Sequence, residues 1–170
     1  MDASGRIFVA DTGNKRIAVF DPSGLFVAQF GGTESGLGQL NEPVGIGIDP
    51  QGLVYVADTW NQRVVIFDEF ESNQFRFLRE WAIDGWWGES LENKPYIAIS
   101  SAGSVCVTDP EGYRVLCFDA LGEFVVGWGD FGYDFSTFGL PSGLAFSADG
   151  DLWVSDAGNN RLMRFQPGLD

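Results

Sequence analysis

The sequence predicts an all-β protein built from one antiparallel supersecondary unit used four times, and three observations predict it. A twelve-residue frame, VADTGNKRIAVF at 9–20, returns as VADTWNQRVVIF at 56–67, VTDPEGYRVLCF at 107–118 and VSDAGNNRLMRF at 154–165. Its aspartates Asp11, Asp58, Asp109 and Asp156 stand 47, 51 and 47 residues apart. An arginine follows each five residues later (Arg16, Arg63, Arg114, Arg161) and a phenylalanine nine later (Phe20, Phe67, Phe118, Phe165). Short β-branched and aromatic runs flank every frame, and no segment holds a 3.6-residue apolar period without Gly or Pro intervening. A fixed spacing of this size means one unit repeated.

Each frame reads as a hairpin. Runs such as IFVA and LVYVA precede the aspartate, and IAVF, VVIF, VLCF and LMRF follow the arginine; these have the length and branching of strands. Asp109, Pro110 and Gly112 take the first, second and fourth places of a type I turn. The place of Gly112 is held elsewhere by Asn14, Asn61 and Asn159, which predicts a positive φ there. Aspartate and arginine then flank one tight turn and are expected to pair with each other or with its amides.

The remaining strands follow from what surrounds the hairpin. A short strand begins at each of Pro43, Pro95 and Pro141, with small residues (Gly47, Ala98, Ala145) alternating with apolar ones, as suits a crowded innermost strand. An outer strand follows the DPSG and DALG turns as LFVAQFG and EFVVGWG, and FRFLREWAIDG fills that place in the second unit. The units run over about 1–42, 43–94, 95–140 and 141–170 of a single domain, 1–170. The first is expected to lack its innermost strand and the last its outermost, giving three, four, four and three strands. Bare edges of this kind suggest edge-to-edge association with another copy, or a piece of a longer array.

Four-stranded units at this period are the signature of β-propeller blades. The frame resembles the NHL repeat, whose wording is close to VADTGNKRIAVFDPSG followed by a strand and FG, and four copies in register span the chain. No unit ends in the Trp-Asp pair of WD40 blades. A second stretch of wording, from GWWGESLENKPYIAIS to the end, is similar to propeller tails on large bacterial multi-pass membrane proteins of the glycosyltransferase kind. That resemblance implies an extracytoplasmic appendage recognising a glycan, a lipid-linked sugar or a neighbouring envelope protein.

Charge and composition narrow the function. Ten basic against 24 acidic residues give a net charge of −14, which repels phosphate backbones, so nucleic acid is excluded as a partner. The absence of histidine removes the commonest general base and metal ligand together. No apolar run reaches the length of a membrane span, and MDASGRIF lacks the basic-then-apolar pattern of a signal peptide. The strings GLG and GWWG do not lead from a strand into a helix, so neither is a phosphate loop.

Among candidate sites, the Asp/Arg frame is read as structural, because an active site needs one asymmetric constellation rather than four equal ones. Asp130 with Asp134, and Glu89 with Glu92, could offer oxygen ligands, but neither spacing is that of a calcium loop and solvated charge is the better reading. The aromatics Trp86, Trp87, Trp128, Phe131, Tyr133 and Phe135, with Phe138, gather in or beside two interblade loops and are the candidate ligand-face residues. The plainer alternative has Leu40, Leu91 and Phe138 plugging the seams between blades. Cys106 and Cys117 should stand opposite each other across their hairpin, with reduced thiols packed together. No catalytic residue, metal or cofactor is expected. The favoured function is a binding or scaffold module for a protein or glycan; the alternative that the resemblance supplies is a metal-dependent lyase or lactone hydrolase with its site on the propeller axis.

Overall fold

The computed structural model describes residues 1–32, 37–86 and 93–169. These form four antiparallel sheets with strands in sequence order. Blade 1 holds β1 (Ile7–Asp11), β2 (Arg16–Phe20) and β3 (Phe26–Gly31). Blade 2 holds β4 (Pro43–Ile48), β5 (Val54–Asp58), β6 (Arg63–Glu71) and β7 (Gln74–Ala82). Blade 3 holds β8 (Ile97–Ile99), β9 (Val105–Asp109), β10 (Arg114–Phe118) and β11 (Phe124–Trp128). Blade 4 holds β12 (Pro141–Phe146), β13 (Leu152–Asp156) and β14 (Arg161–Phe165). The expected strand count of three, four, four and three is what the sheets contain. Blades 1 and 2 make one compact unit, Met1–Asp84, and blades 3 and 4 another, Gly85–Asp170. No helix among the described residues is long and apolar enough to cross a membrane.

The register follows from the turn. Asp11, Asp58, Asp109 and Asp156 pair directly with Arg16, Arg63, Arg114 and Arg161, which fixes every residue behind them on its face of the sheet. The turn itself corrects the sequence reading by one position. In blades 1, 2 and 4 it is a single 3-10 turn, Thr12–Asn14, Thr59–Asn61 and Ala157–Asn159, and the left-handed residue is the one after it. That residue is Lys15, Gln62 or Asn160, with φ of 56°, 54° and 53°, and in blade 3 it is Tyr113 at 53°. The asparagines are needed for their side chains. Asn14, Asn61 and Asn159 each donate an Nδ2 proton to the frame aspartate at 2.7–2.9 Å. Blade 3 uses the Gly112 backbone N–H instead, and a Cβ at Gly112 would collide with the Asp109 carboxylate it serves.

Within each unit the two blades bury their facing sides against one another. In the first, Ile17, Val19, Ala28 and Phe30 of blade 1 pack with Val54, Val56, Val65 and Phe67 of blade 2, and Leu40 closes the seam. Phe30 stacks on Phe75 at a centroid distance of 4.4 Å. In the second, Ala98, Val115 and the two cysteines of blade 3 pack with Leu152, Val154 and Met163 of blade 4, and Phe138 closes the seam. Leu40 and Phe138 are therefore the plugs that the plainer reading of these positions expects; Leu91 lies outside the described residues. Each plug needs a glycine at the end of the preceding outer strand. A Cβ on Gly31 would stand 2.6 Å from Leu40 Cδ1, and one on Gly129 would stand 2.7 Å from the Phe138 ring.

Two features were not expected. Cys106 and Cys117 are directly opposed, as the register requires, but they form a disulfide rather than a reduced pair. Their Cα atoms are 4.1 Å apart, the close spacing of opposed antiparallel residues, and both sulfurs lie on the face turned to blade 4. The second feature is a polar clamp on the first unit. Arg6 donates to both carboxylate oxygens of Glu69 at 2.7 and 2.6 Å, to Asn73 Oδ1 at 2.9 Å and to Asp2 at 2.7 Å, tying the start of blade 1 to the β6–β7 hairpin. The bidentate hydrogen bonds to Glu69 raise the Arg6 pKa, and the same bonds lower that of Glu69.

Candidate functional site: an aromatic loop held by the blade frame

The frame ion pair is present in all four blades. Arg Nε donates to Asp Oδ2 at 2.8, 2.9, 2.7 and 2.9 Å in blades 1 to 4. What differs is the other carboxylate oxygen. Asp58 Oδ1 accepts from the backbone N–H groups of Asn41 and Glu42 at 2.8 and 3.1 Å, and Asp156 Oδ1 from those of Gly139 and Leu140 at 2.8 and 2.9 Å. In blades 2 and 4 the frame thus fastens the loop arriving from the previous blade as well as its own turn. Burial pushes the Asp156 pKa up. The bonds from Leu140, Asn159, Gly139 and Arg161 outweigh that and hold it below the usual aspartate value, so the charge persists further into acid.

In blade 4 the guanidinium does more than pair with Asp156. The same Arg161 that donates to Asp156 also donates to the carbonyls of Tyr133, Asp134 and Thr137 at 2.9, 2.6 and 2.8 Å. Asn159 Nδ2 adds a bond to the Gly132 carbonyl at 2.8 Å. Asp134 closes a turn on itself by accepting from the Ser136 N–H at 2.9 Å and the Thr137 hydroxyl at 2.9 Å. Phe131 and Phe138 make a β-bridge that shuts the base of this loop. The interblade segment 130–138 is therefore a fixed Ω-like projection, with the carbonyls of Gly132, Tyr133, Asp134 and Thr137 held by the blade beneath it.

On that projection Phe131, Tyr133 and Phe135 are 56%, 75% and 91% exposed. Phe131 meets Tyr133 edge-on at 5.8 Å and Tyr113 at 5.0 Å, which holds two of the rings in a fixed relation. Three of the candidate aromatics thus share one exposed loop. The others do not join it. Trp86 is buried and donates its indole N–H to the Thr108 carbonyl at 3.0 Å, so it is a core residue. Trp128 packs on Phe165 at 5.3 Å at the edge of the blade 3–4 core. Trp87 lies outside the described residues, as do Glu89 and Glu92. Asp130 and Asp134 each use Oδ1 to accept from backbone and hydroxyl groups of their own loop. The first unit also holds a polar cavity of about 680 Å³ lined by Lys15, Gln39, Asn41, Asn61, Arg63 and Glu80, which sequence reasoning did not find. Its Arg63 is committed to Asp58 and to Glu80.

Comparison with known proteins agrees with this architecture. Residues 40–67 and 138–165, the second and fourth hairpins with the strands before them, match the NHL repeat. The fold is a propeller with NHL repeats. Virginiamycin B lyase from Staphylococcus aureus superposes with a TM-score of 0.69 at 13% identity, over 99% of this chain and 51% of its own. A streptogramin B lyase gives 0.70 at 15% identity, over 98% and 50%. Regucalcin from Agrobacterium tumefaciens str. C58, a calcium-binding protein, gives 0.63 at 16% identity, over 91% and 50%. At such identities the likeness concerns the fold alone, and the chain spans about half the length of these propellers. No curated protein matches the sequence. The likeness to membrane glycosyltransferase tails gains no support from these matches.

Proposed function

We infer that the chain is a binding module whose 130–138 loop presents Phe131, Tyr133 and Phe135 to a protein or glycan partner. The observation that carries this reading is the combination of exposure and anchorage: three rings stand in solvent on a loop whose backbone is fixed by Arg161 and Asn159. Rings held this way lose little freedom on contact, which is how aromatic residues come to anchor sugars and peptides. A catalytic reading, suggested by the lyase relatives, would need converging acid, base or metal-binding groups. Among the described residues no group of three or more Asp, Glu or Cys is placed to hold a metal ion, and the sequence has no histidine to add to them.

The test is a binding screen against immobilised oligosaccharides and peptides, run with the native protein and with a Tyr133→Ser, Phe135→Ser double variant. Both side chains are exposed and touch little of the core, so melting should shift by no more than the scatter expected of surface changes. The expected result is selective retention on one class of probe, lost in the variant. Retention unchanged in the variant would place the binding surface elsewhere.

A further inference from the structure

Each seam inside a unit is made by two kinds of blade face. The trailing face carries the residues aligned with Phe8, Ile17 and Val19; the leading face carries those aligned with Ile7 and Val9. On the leading side, Val54 and Val56, Val105 and Val107, and Leu152 and Val154 are all fully buried. Their counterparts in blade 1, Ile7 and Val9, are 38% and 41% exposed. Asp11 shares that face, and its side chain is 26% exposed where Asp58, Asp109 and Asp156 are buried. On the trailing side, Ile17, Val64 and Val115 are fully buried, and the counterpart in blade 4, Leu162, is 69% exposed. Trp153, in the place of the buried Tyr55 and Cys106, is 41% exposed. One leading face and one trailing face are therefore open; the first presents Ile7 and Val9 beside Asp11, and the second presents Trp153 and Leu162 beside Ser155 and Arg164, whose guanidinium pairs with Asp151 at 2.8 Å.

We propose that the trailing face of blade 4, centred on Trp153 and Leu162, docks on the leading face of blade 1, centred on Ile7 and Val9, of a second copy of this chain. The kind of contact is the one the chain already makes twice, between blades 1 and 2 and between blades 3 and 4, with Leu162 taking the place of Ile17 or Val115. Such a contact is heterologous: each copy offers a different surface. The length relation agrees with it, since one chain covers about half of each similar propeller and two would cover the whole. Exposed apolar side chains grouped on one face, Ile7 with Val9 and Trp153 with Leu162, also favour association over a free monomer.

Sedimentation or light scattering across a concentration series tests this with two variants, Val9→Asp and Leu162→Asp, each at a partly exposed position. Native protein should self-associate. Each variant alone should associate at least about a hundredfold more weakly, because every contact it could make buries an unpaired carboxylate. Mixing the two variants should restore a one-to-one complex, since one combination of faces is then native on both sides; that recovery also shows that both variants are folded. A native protein that stays monomeric at millimolar concentration overturns the proposal. So does association that persists in both variants, or a mixture that remains monomeric.

Discussion

Replacing Asp58 with alanine is expected to cost roughly 3–5 kcal/mol of stability, the range for removing one partner of a buried ion pair. The Asp58 side chain is fully buried and serves four donors: the N–H groups of Asn41 and Glu42, the Asn61 amide and the Arg63 guanidinium. Alanine leaves all four without that acceptor, at the junction of the blade 2 turn and the loop arriving from blade 1. Urea unfolding followed by fluorescence measures the loss. The same change at Asp11 is expected to do far less, because Asp11 is partly exposed and holds only Asn14 and Arg16. Equal losses at the two positions would mean that the loop amides contribute nothing.

The second large effect is expected at Phe138. This ring is fully buried, meets Phe165 at 5.8 Å and fills the space that Gly129 keeps open at the blade 3–4 seam. Phe138→Ala should destabilise by roughly 3–5 kcal/mol through lost burial and the cavity left behind. Phe138→Leu should recover most of that, since leucine already does this work at residue 40. Urea unfolding of the three proteins gives the comparison, and an alanine variant within 1 kcal/mol of native, far short of about 3 kcal/mol, would show that the seam does not depend on its plug.

Strand order, register and strand count were legible because every fixed position in the frame has a local cause: Asp and Arg bracket the turn, and alternation does the rest. The left-handed residue was misplaced by one because asparagine is common in that backbone region, whereas here its amide matters and its φ does not. Trp86 and Phe135 look alike in sequence, each beside glycine or small polar residues. Only the Thr108 carbonyl, supplied from another part of the blade, makes Trp86 a buried donor. The second task of Arg161, holding the 130–138 loop, was hidden for a related reason. An arginine explained by one aspartate gives no sign that its two Nη groups reach carbonyls 24 to 28 residues away. The Arg6–Glu69 clamp likewise joins residues 63 apart, beyond any local pattern. The cysteines were placed correctly by register, but opposed cysteines serve equally as packing or as a bond, and sequence does not choose between them.

The central claim is that the frame aspartates of blades 2 and 4, Asp58 and Asp156, fasten the interblade loops that reach them, leaving the chemistry of recognition to what those loops carry. Amide hydrogen exchange of the native protein, resolved by residue, tests it most directly. The N–H groups of Asn41, Glu42, Gly139 and Leu140 lie outside the regular parts of their loops, yet each donates to a buried carboxylate or shares one. The account predicts that these four exchange as slowly as the strands they precede, while the Tyr133 and Phe135 amides at the tip exchange faster. Exchange at Asn41, Glu42, Gly139 and Leu140 as rapid as at the loop tip would contradict it.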